Sequence, residues 1–342
     1  MRCLVTGGAG FIGSHTVLAL LESGHDVLVI DNFSTSSPDV LKRVTELAGR
    51  IVHVAERDMR DADALRNTFA RWSPDAVLHF AGLKSVSESV EDPVHYYDVN
   101  LAGTVNLLKA MDSVACHRLV FSSSATVYGK PLYLPFDEAH PTNPVTPYAR
   151  SKLAVENLLH DWTVANSARA VTALRYFNPV GAHPSGRLGE NPTSVPHNLM
   201  QYMSQTALGR RAFLPVLGDD YDARDGTGER DYIHVMDLAE AHLAALGDLE
   251  LSVGFQIYNV GTGQGVTVPE MVTAFEAASG VTIPLQDMPR RDGDLPGFYA
   301  NPDRAKNNLG WKAKRGIDAM CRDAWAWQVA SPDGLVHTED AR

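Results

Sequence analysis

The chain has 342 residues, 44% of them hydrophobic and 21% charged, which is enough apolar material for one large domain and a smaller one. A formal charge of -11 excludes the broadly basic face that nucleic-acid phosphates demand, although it leaves room for a local basic pocket. Cys3, Cys116 and Cys321 are too scattered for a disulfide ladder or a metal motif, and no apolar run reaches the ~20 residues of a membrane span, so a cytoplasmic protein without metal, membrane or nucleic-acid partner is expected.

Taken in order, Arg2–Val5 already reads as a strand, so no leader segment is expected ahead of it. Short apolar strands follow at Asp26–Ile30, Ile51–Ala55, Ala76–Phe80, Arg118–Ser122 and Val171–Tyr176, separated by helical stretches at Ile12–Glu22, Asp61–Ala70, Val99–Met111 and Ala149–Asp161. This alternation predicts an α/β fold, a Rossmann-type doubly wound parallel sheet with a smaller C-terminal α/β substrate domain. Asn178–Pro196, rich in Pro, Gly and Asn, reads as a loop over a cleft. Helices are expected at Asn198–Leu208, Val235–Leu246 and Pro269–Ser279, and the apolar stretch near Ile233–Asn259 is expected to rejoin the large domain. The expected division is 1–176 with about 232–259 for the dinucleotide domain and 177–231 with 260–330 for the substrate domain, followed by a loose polar tail at 331–342.

The chemistry begins at Gly7-Gly8-Ala9-Gly10-Phe11-Ile12-Gly13, between the first strand and the first helix. Gly7 permits the tight turn, Gly10 lets the backbone approach a pyrophosphate, and Gly13 allows close helix–strand packing. Asp31, ending the second strand, can accept from ribose hydroxyls and repels a 2′-phosphate, and no Arg follows closely; NAD is favoured over NADP. Asp58, after the third strand, suits either an adenine contact or a plain turn.

Tyr148 and Lys152 are four apart on a predicted helix and share a face. A phenol near pKa ~10 is a poor base, and an adjacent ammonium is expected to lower that value. Ser124, at a strand end, can hydrogen-bond the same substrate oxygen.

These motifs, with His79–Lys84, Phe121–Gly129, Arg175–His183, Arg230–Leu238 and Arg291–Pro296, resemble the extended short-chain dehydrogenase/reductase family over nearly the whole chain, and within it the nucleotide-sugar 4-epimerases. The resemblance implies Tyr148 as base, Lys152 as its electrostatic partner and Ser124 as hydrogen-bond donor. It assigns to the cofactor Phe11, Ile12, Asn32, Thr35, Ser36, Met59, Phe80, Ala81, Gly82, Lys84 and Phe177, besides the residues above. It assigns to the nucleotide sugar Lys84, Tyr176, Asn178, Asn198, Leu199, Arg230, Arg291, Asp294 and Phe298. The two arginines suit pyrophosphate oxygens, and Phe298 is a gate whose bulk excludes N-acetyl sugars. The implied reaction links UDP-glucose and UDP-galactose through a 4-keto sugar on tightly bound NAD, in a homodimer formed by helices of the large domain.

Two features separate this chain from relatives of other chemistry. Nucleotide-sugar dehydratases carry an Asp-Glu pair after a catalytic Thr, whereas Thr126 is followed here by Val127. Val99 stands where epimerases often carry Asn, so one polar contact near the cofactor is expected to be missing.

Overall fold

The structure is a computed structural model that describes residues 1–191, 198–290 and 294–335. Its centre is a parallel sheet of β1 (Arg2–Thr6), β2 (Asp26–Asp31), β3 (His53–Glu56), β4 (Ala76–His79), β5 (Arg118–Ser124) and β6 (Ala170–Tyr176), joined late in the chain by β11 (Gly254–Val260). The order β11-β6-β5-β4-β1-β2-β3 places the glycine-loop strand β1 between β4 and β2. Along β1 and β2 alternate side chains enter opposite cores. Cys3, Val5, Val27 and Val29 pack on one face, while Leu4, Leu28 and Ile30 pack on the other. Burial on both faces is why these strands read as unbroken apolar runs.

The helices are α1 (Phe11–Glu22), α2 (Pro38–Ala48), α3 (Ala62–Trp72), α4 (Val86–Glu91), α5 (Pro93–Tyr97), α6 (Gly103–Ser113) and α7 (Pro147–Val164) in the first half. In the second half they are α8 (Leu199–Ala207), α9 (Val235–Asp248), α10 (Val268–Ser279), α11 (Asp303–Leu309) and α12 (Ile317–Ala330). Helix α9 packs on α1, so the stretch leading into β11 returns to the main sheet. The second lobe has its own apolar cluster, in which Met203, Met271, Phe275 and Cys321 are fully buried. Three two-stranded parallel sheets serve that half: β7 (Asn178–Val180) with β10 (Tyr232–His234), β8 (Leu214–Leu217) with β12 (Leu285–Met288), and β9 (Glu229–Arg230) with β13 (Gly297–Phe298).

Some expectations shift. Helix α2 was not anticipated, although Ser37 caps it, Pro38 starts it and left-handed Gly49 ends it. The helix expected over Val99–Met111 is regular only from Gly103, because Asp98–Ala102 forms a wider π-helical turn. The expected loop after Asn178 contains β7, which exists because β10 pairs with it from more than fifty residues away. The head of the presumed loose tail is anchored: Leu335 packs on the main core and its N–H donates to Asn191 Oδ1 at 2.8 Å. Residues 336–342 lie outside the described residues. Cys3, Cys116 and Cys321 are free and buried, and no helix among the described residues is long and apolar enough to cross a membrane.

Candidate active site

The glycine loop is held from both sides. Gly7 has φ 68°, and a Cβ there would fall 2.5 Å from the Ala81 nitrogen; one on Gly13 would fall 2.2 Å from the Gly7 carbonyl oxygen. Gly8, to which the sequence assigned no role, touches Val29, where a Cβ would lie 2.7 Å from a side-chain methyl. Gly10 is different: its backbone is ordinary, and the space a Cβ would fill is bounded only by the Gly7 oxygen at 3.4 Å. It starts α1 without a side-chain cap, leaving the first-turn N–H groups for an anion. The uncapped first turn, at Phe11, Ile12 and Gly13, therefore fits an anion such as a pyrophosphate.

Asp31 braces the loop. Its carboxylate accepts from Ala9 N at 3.0 Å, Phe33 N at 2.9 Å and the buried Ser36 hydroxyl at 3.0 Å. Asn32 and Thr35 are exposed beside it. Asp58 is tied down rather than free: Arg60 grips it through the backbone N–H and two guanidinium nitrogens, and Asn32 donates at 3.0 Å. These bonds hold its carboxyl well below the usual range. Met59 beside it is buried.

Between β4 and α4, the Phe80–Lys84 segment is clamped by Asn100. Its Oδ1 accepts from Leu83 N at 2.8 Å and its Nδ2 donates to Leu83 O at 3.1 Å and Ser151 Oγ at 3.0 Å. Behind the clamp runs a buried relay. Thr104 donates to Asn100 O at 2.6 Å, so His79 Nε2–H donates to Thr104 Oγ1 and His79 Nδ1 accepts from Thr6 Oγ1. Burial holds His79 neutral, with its pKa near 3. The exposed Lys84 ammonium pairs with Glu190 at 3.1 Å, and Glu190 also accepts from Asn198 at 2.9 Å. The contact joins the two lobes.

Helix α7 begins at Thr146, whose hydroxyl accepts from Ala149 N, followed by Pro147 at the first turn. That start sets the helical register of Tyr148 and Lys152. Three consecutive serines of β5 meet this helix in different ways. The Ser122 carbonyl accepts from Lys152 Nζ at 2.8 Å; the Ser123 hydroxyl donates to Glu156; Ser124 lies against the Tyr148 phenol and shares a 2.9 Å hydrogen bond with Thr126. Burial pulls Lys152 down to about 8, opposed by Glu156. The phenol moves the other way from the sequence expectation: burial raises it, opposed by the Ser124 hydrogen bond. The ammonium is committed to the Ser122 carbonyl, so the protein alone does not make the phenol acidic. Val127 and Tyr128, which follow Thr126, are fully buried and carry no carboxyl group.

At the sugar end, Arg230 donates to the carbonyls of Glu229 at 2.9 Å and Leu295 at 2.8 Å and approaches Asp294 at 3.5 Å. Its neighbour Asp231 is buried and accepts from Thr262, Gly263 and Ala300, pinning the strand that carries the guanidinium. Asn178 donates to the Asp231 carbonyl at 2.8 Å; Asn198 caps α8, placing Leu199 at its first turn. Arg291 lies outside the described residues. Phe298 and Phe177 pack with Phe136 in one aromatic cluster, their ring centroids 5.4 Å apart. The Phe177 ring is thus part of the same wall as Phe298. Tyr176 is buried: because His242 Nδ1 donates to Leu238 O, its Nε2 accepts the Tyr176 hydroxyl at 2.6 Å.

A parallel dinucleotide sheet whose glycine loop abuts Ala81, next to Gly82 at the Lys152 ammonium of a Ser–Tyr–Lys cluster, defines a dehydrogenase-type enzyme of the extended short-chain class. Comparison narrows this. A family profile described as GDP-mannose 4,6 dehydratase matches residues 4–324. The chain is 54% identical over 341 residues to UDP-glucose 4-epimerase from Mus musculus, with 98% of both proteins covered. It superposes with TM-score 0.94 on the 47% identical UDP-glucose 4-epimerase from Bifidobacterium longum in complex with NAD+ and UDP, covering 98% of this chain and 100% of that one. A third similar protein is the enzyme from Stenotrophomonas maltophila with bound NAD and formylated UDP-arabinopyranose, with TM-score 0.95 at 45% identity, covering 96% of this chain and 98% of that one. The chain belongs to the UDP-glucose 4-epimerase family.

Proposed function

We propose that this site interconverts UDP-glucose and UDP-galactose by inverting C4 of the hexose through a transient 4-keto sugar. The enzyme is an NAD-dependent isomerase. The observation that carries this reading is the Ser124–Tyr148–Lys152 cluster with Val127, not a carboxylate, after Thr126: it can move the proton of a hydroxyl but lacks the Asp-Glu pair that would supply acid and base for water loss. Tyr148 takes the 4-hydroxyl proton, Ser124 orients that oxygen, and Lys152 stabilises the phenolate. When bound, NAD supplies the hydride acceptor and donor for C4, and its cationic nicotinamide is the second positive charge that favours the phenolate. Arg230, Arg291, Asn178, Asn198 and Leu199 hold the UDP, while the hexose pivots and is reprotonated from the same tyrosine. The division at 1–176 with 232–259 against 177–231 with 260–330 separates cofactor from sugar binding, supported by β11 lying in the main sheet.

We read the protein as cytoplasmic, supported by its three free buried thiols. We read it also as a homodimer, because Val86, Val90 and Val94 expose apolar surface on helices that pack against α7. The test of the activity is incubation with UDP-galactose and no added cofactor. UDP-glucose is expected; a dehydrated 4-keto product, or binding without turnover, overturns the reading.

A further inference from the structure

Helix α7 continues its functional face for one more turn. Tyr148, Lys152 and Glu156 are spaced i, i+4 and i+8, so their side chains form a column along one side of the helix. Glu156 is 2% exposed and Arg175, on β6, 3%. The guanidinium grips the carboxylate with two bonds, Nε to Oε1 at 3.0 Å and Nη2 to Oε2 at 2.6 Å, and Ser123 donates a third. Arg175 is held in turn over the Tyr128 ring, 4.7 Å from its centroid.

A buried ion pair is costly, and one that only tied α7 to β6 could be replaced by apolar side chains. Its placement gives it another effect. Lys152 is 6% exposed and donates to a neutral carbonyl, Ser122 O, and its ammonium lies over the Phe121 ring, 5.0 Å from the centroid. Neutral His79 on β4 feels the ammonium, and Tyr176 on β6 feels the Tyr148 phenol; the carboxylate acting on the ammonium is Glu156, one turn further on. The ion pair is a dipole with its negative end on α7 and its positive end on β6. In a desolvated site the nearer pole dominates.

We propose that Glu156 is a positioning residue for catalysis: oriented by Arg175 and Ser123, it keeps Lys152 protonated and so keeps Tyr148 competent as a base. This rests on the reading of Tyr148 as the proton acceptor. Without the carboxylate, Lys152 loses its proton at lower pH and the phenol ionises at higher pH. Burial already draws Lys152 toward its neutral form, which leaves little margin.

The test is Glu156→Gln, measured in the NAD-loaded protein by near-ultraviolet phenolate absorbance, each protein minus its Tyr148→Phe counterpart, so that only the Tyr148 phenol is followed. Because the substitution strands Arg175 without its partner, Glu156→Gln/Arg175→Met is measured beside it and decides alone if the single variant does not fold. The phenol midpoint is expected to rise by roughly one pH unit, with turnover at neutral pH roughly tenfold lower and KM within about twofold. Midpoints coinciding with the parent in a folded variant overturn the proposal and leave the ion pair a strut. If Tyr148→Phe itself turns over normally, the base assignment fails instead, and the two failures are told apart.

Discussion

Asn100 grips Leu83 by both backbone polar groups, accepting from its N–H at 2.8 Å and donating to its carbonyl at 3.1 Å. This fixes the Phe80–Lys84 segment against the glycine loop, where Ala81 already crowds Gly7. Asn100→Ala should cost about 1–3 kcal/mol of stability, because the part-buried Leu83 backbone groups and the buried Ser151 hydroxyl lose their partner. More tellingly, it should leave the protein partly stripped of NAD after purification. Cofactor content by absorbance and a melting curve check both; full retention of NAD contradicts the role given to the clamp.

Tyr148→Phe removes the proton acceptor without altering the backbone of α7. Turnover of UDP-galactose should drop by roughly 100- to 10,000-fold, the usual weight of general acid–base catalysis. Bound NAD should persist, since the phosphate cradle is made from backbone.

The pH profile follows from Lys152. Its ammonium is required, burial lowers it to about 8, and it is charged below that value and neutral above it. Turnover should therefore fall as pH rises through about 8. A profile flat to pH values about two units higher would show that the ammonium is not needed.

Phe298 is half-buried against Phe136 and Phe177. If its ring sets the room beside the sugar, Phe298→Ala should raise the rate with UDP-N-acetylglucosamine relative to UDP-glucose by roughly tenfold, within the range a hydrophobic pocket can discriminate. An unchanged ratio measured by competition would assign the gate elsewhere.

Val90 and Val94 are 63% and 78% exposed, on α4 and α5. Val90→Glu/Val94→Glu should convert a dimer into monomers, read by light scattering, because it places charge in an apolar contact. A monomeric parent protein would remove the dimer reading.

By itself the sequence determined those parts of this enzyme that depend on local geometry. A tight turn with positive φ demands Gly7, a helix needs N–H groups open at Gly10, and the i, i+4 spacing aligns Tyr148 with Lys152. Each of these follows from a few neighbouring residues, so it could be read without knowing where the chain goes next. The tertiary structure decided the partners. Lys84 meets Glu190 across more than a hundred residues, Tyr176 gives its hydroxyl to His242, and Glu156 finds Arg175 on the adjacent strand β6. A polar side chain's role depends on which buried group it must satisfy, and that is set only when distant elements pack. The Tyr–Lys pair was therefore visible in the sequence, but the charge behind it became visible only in the fold.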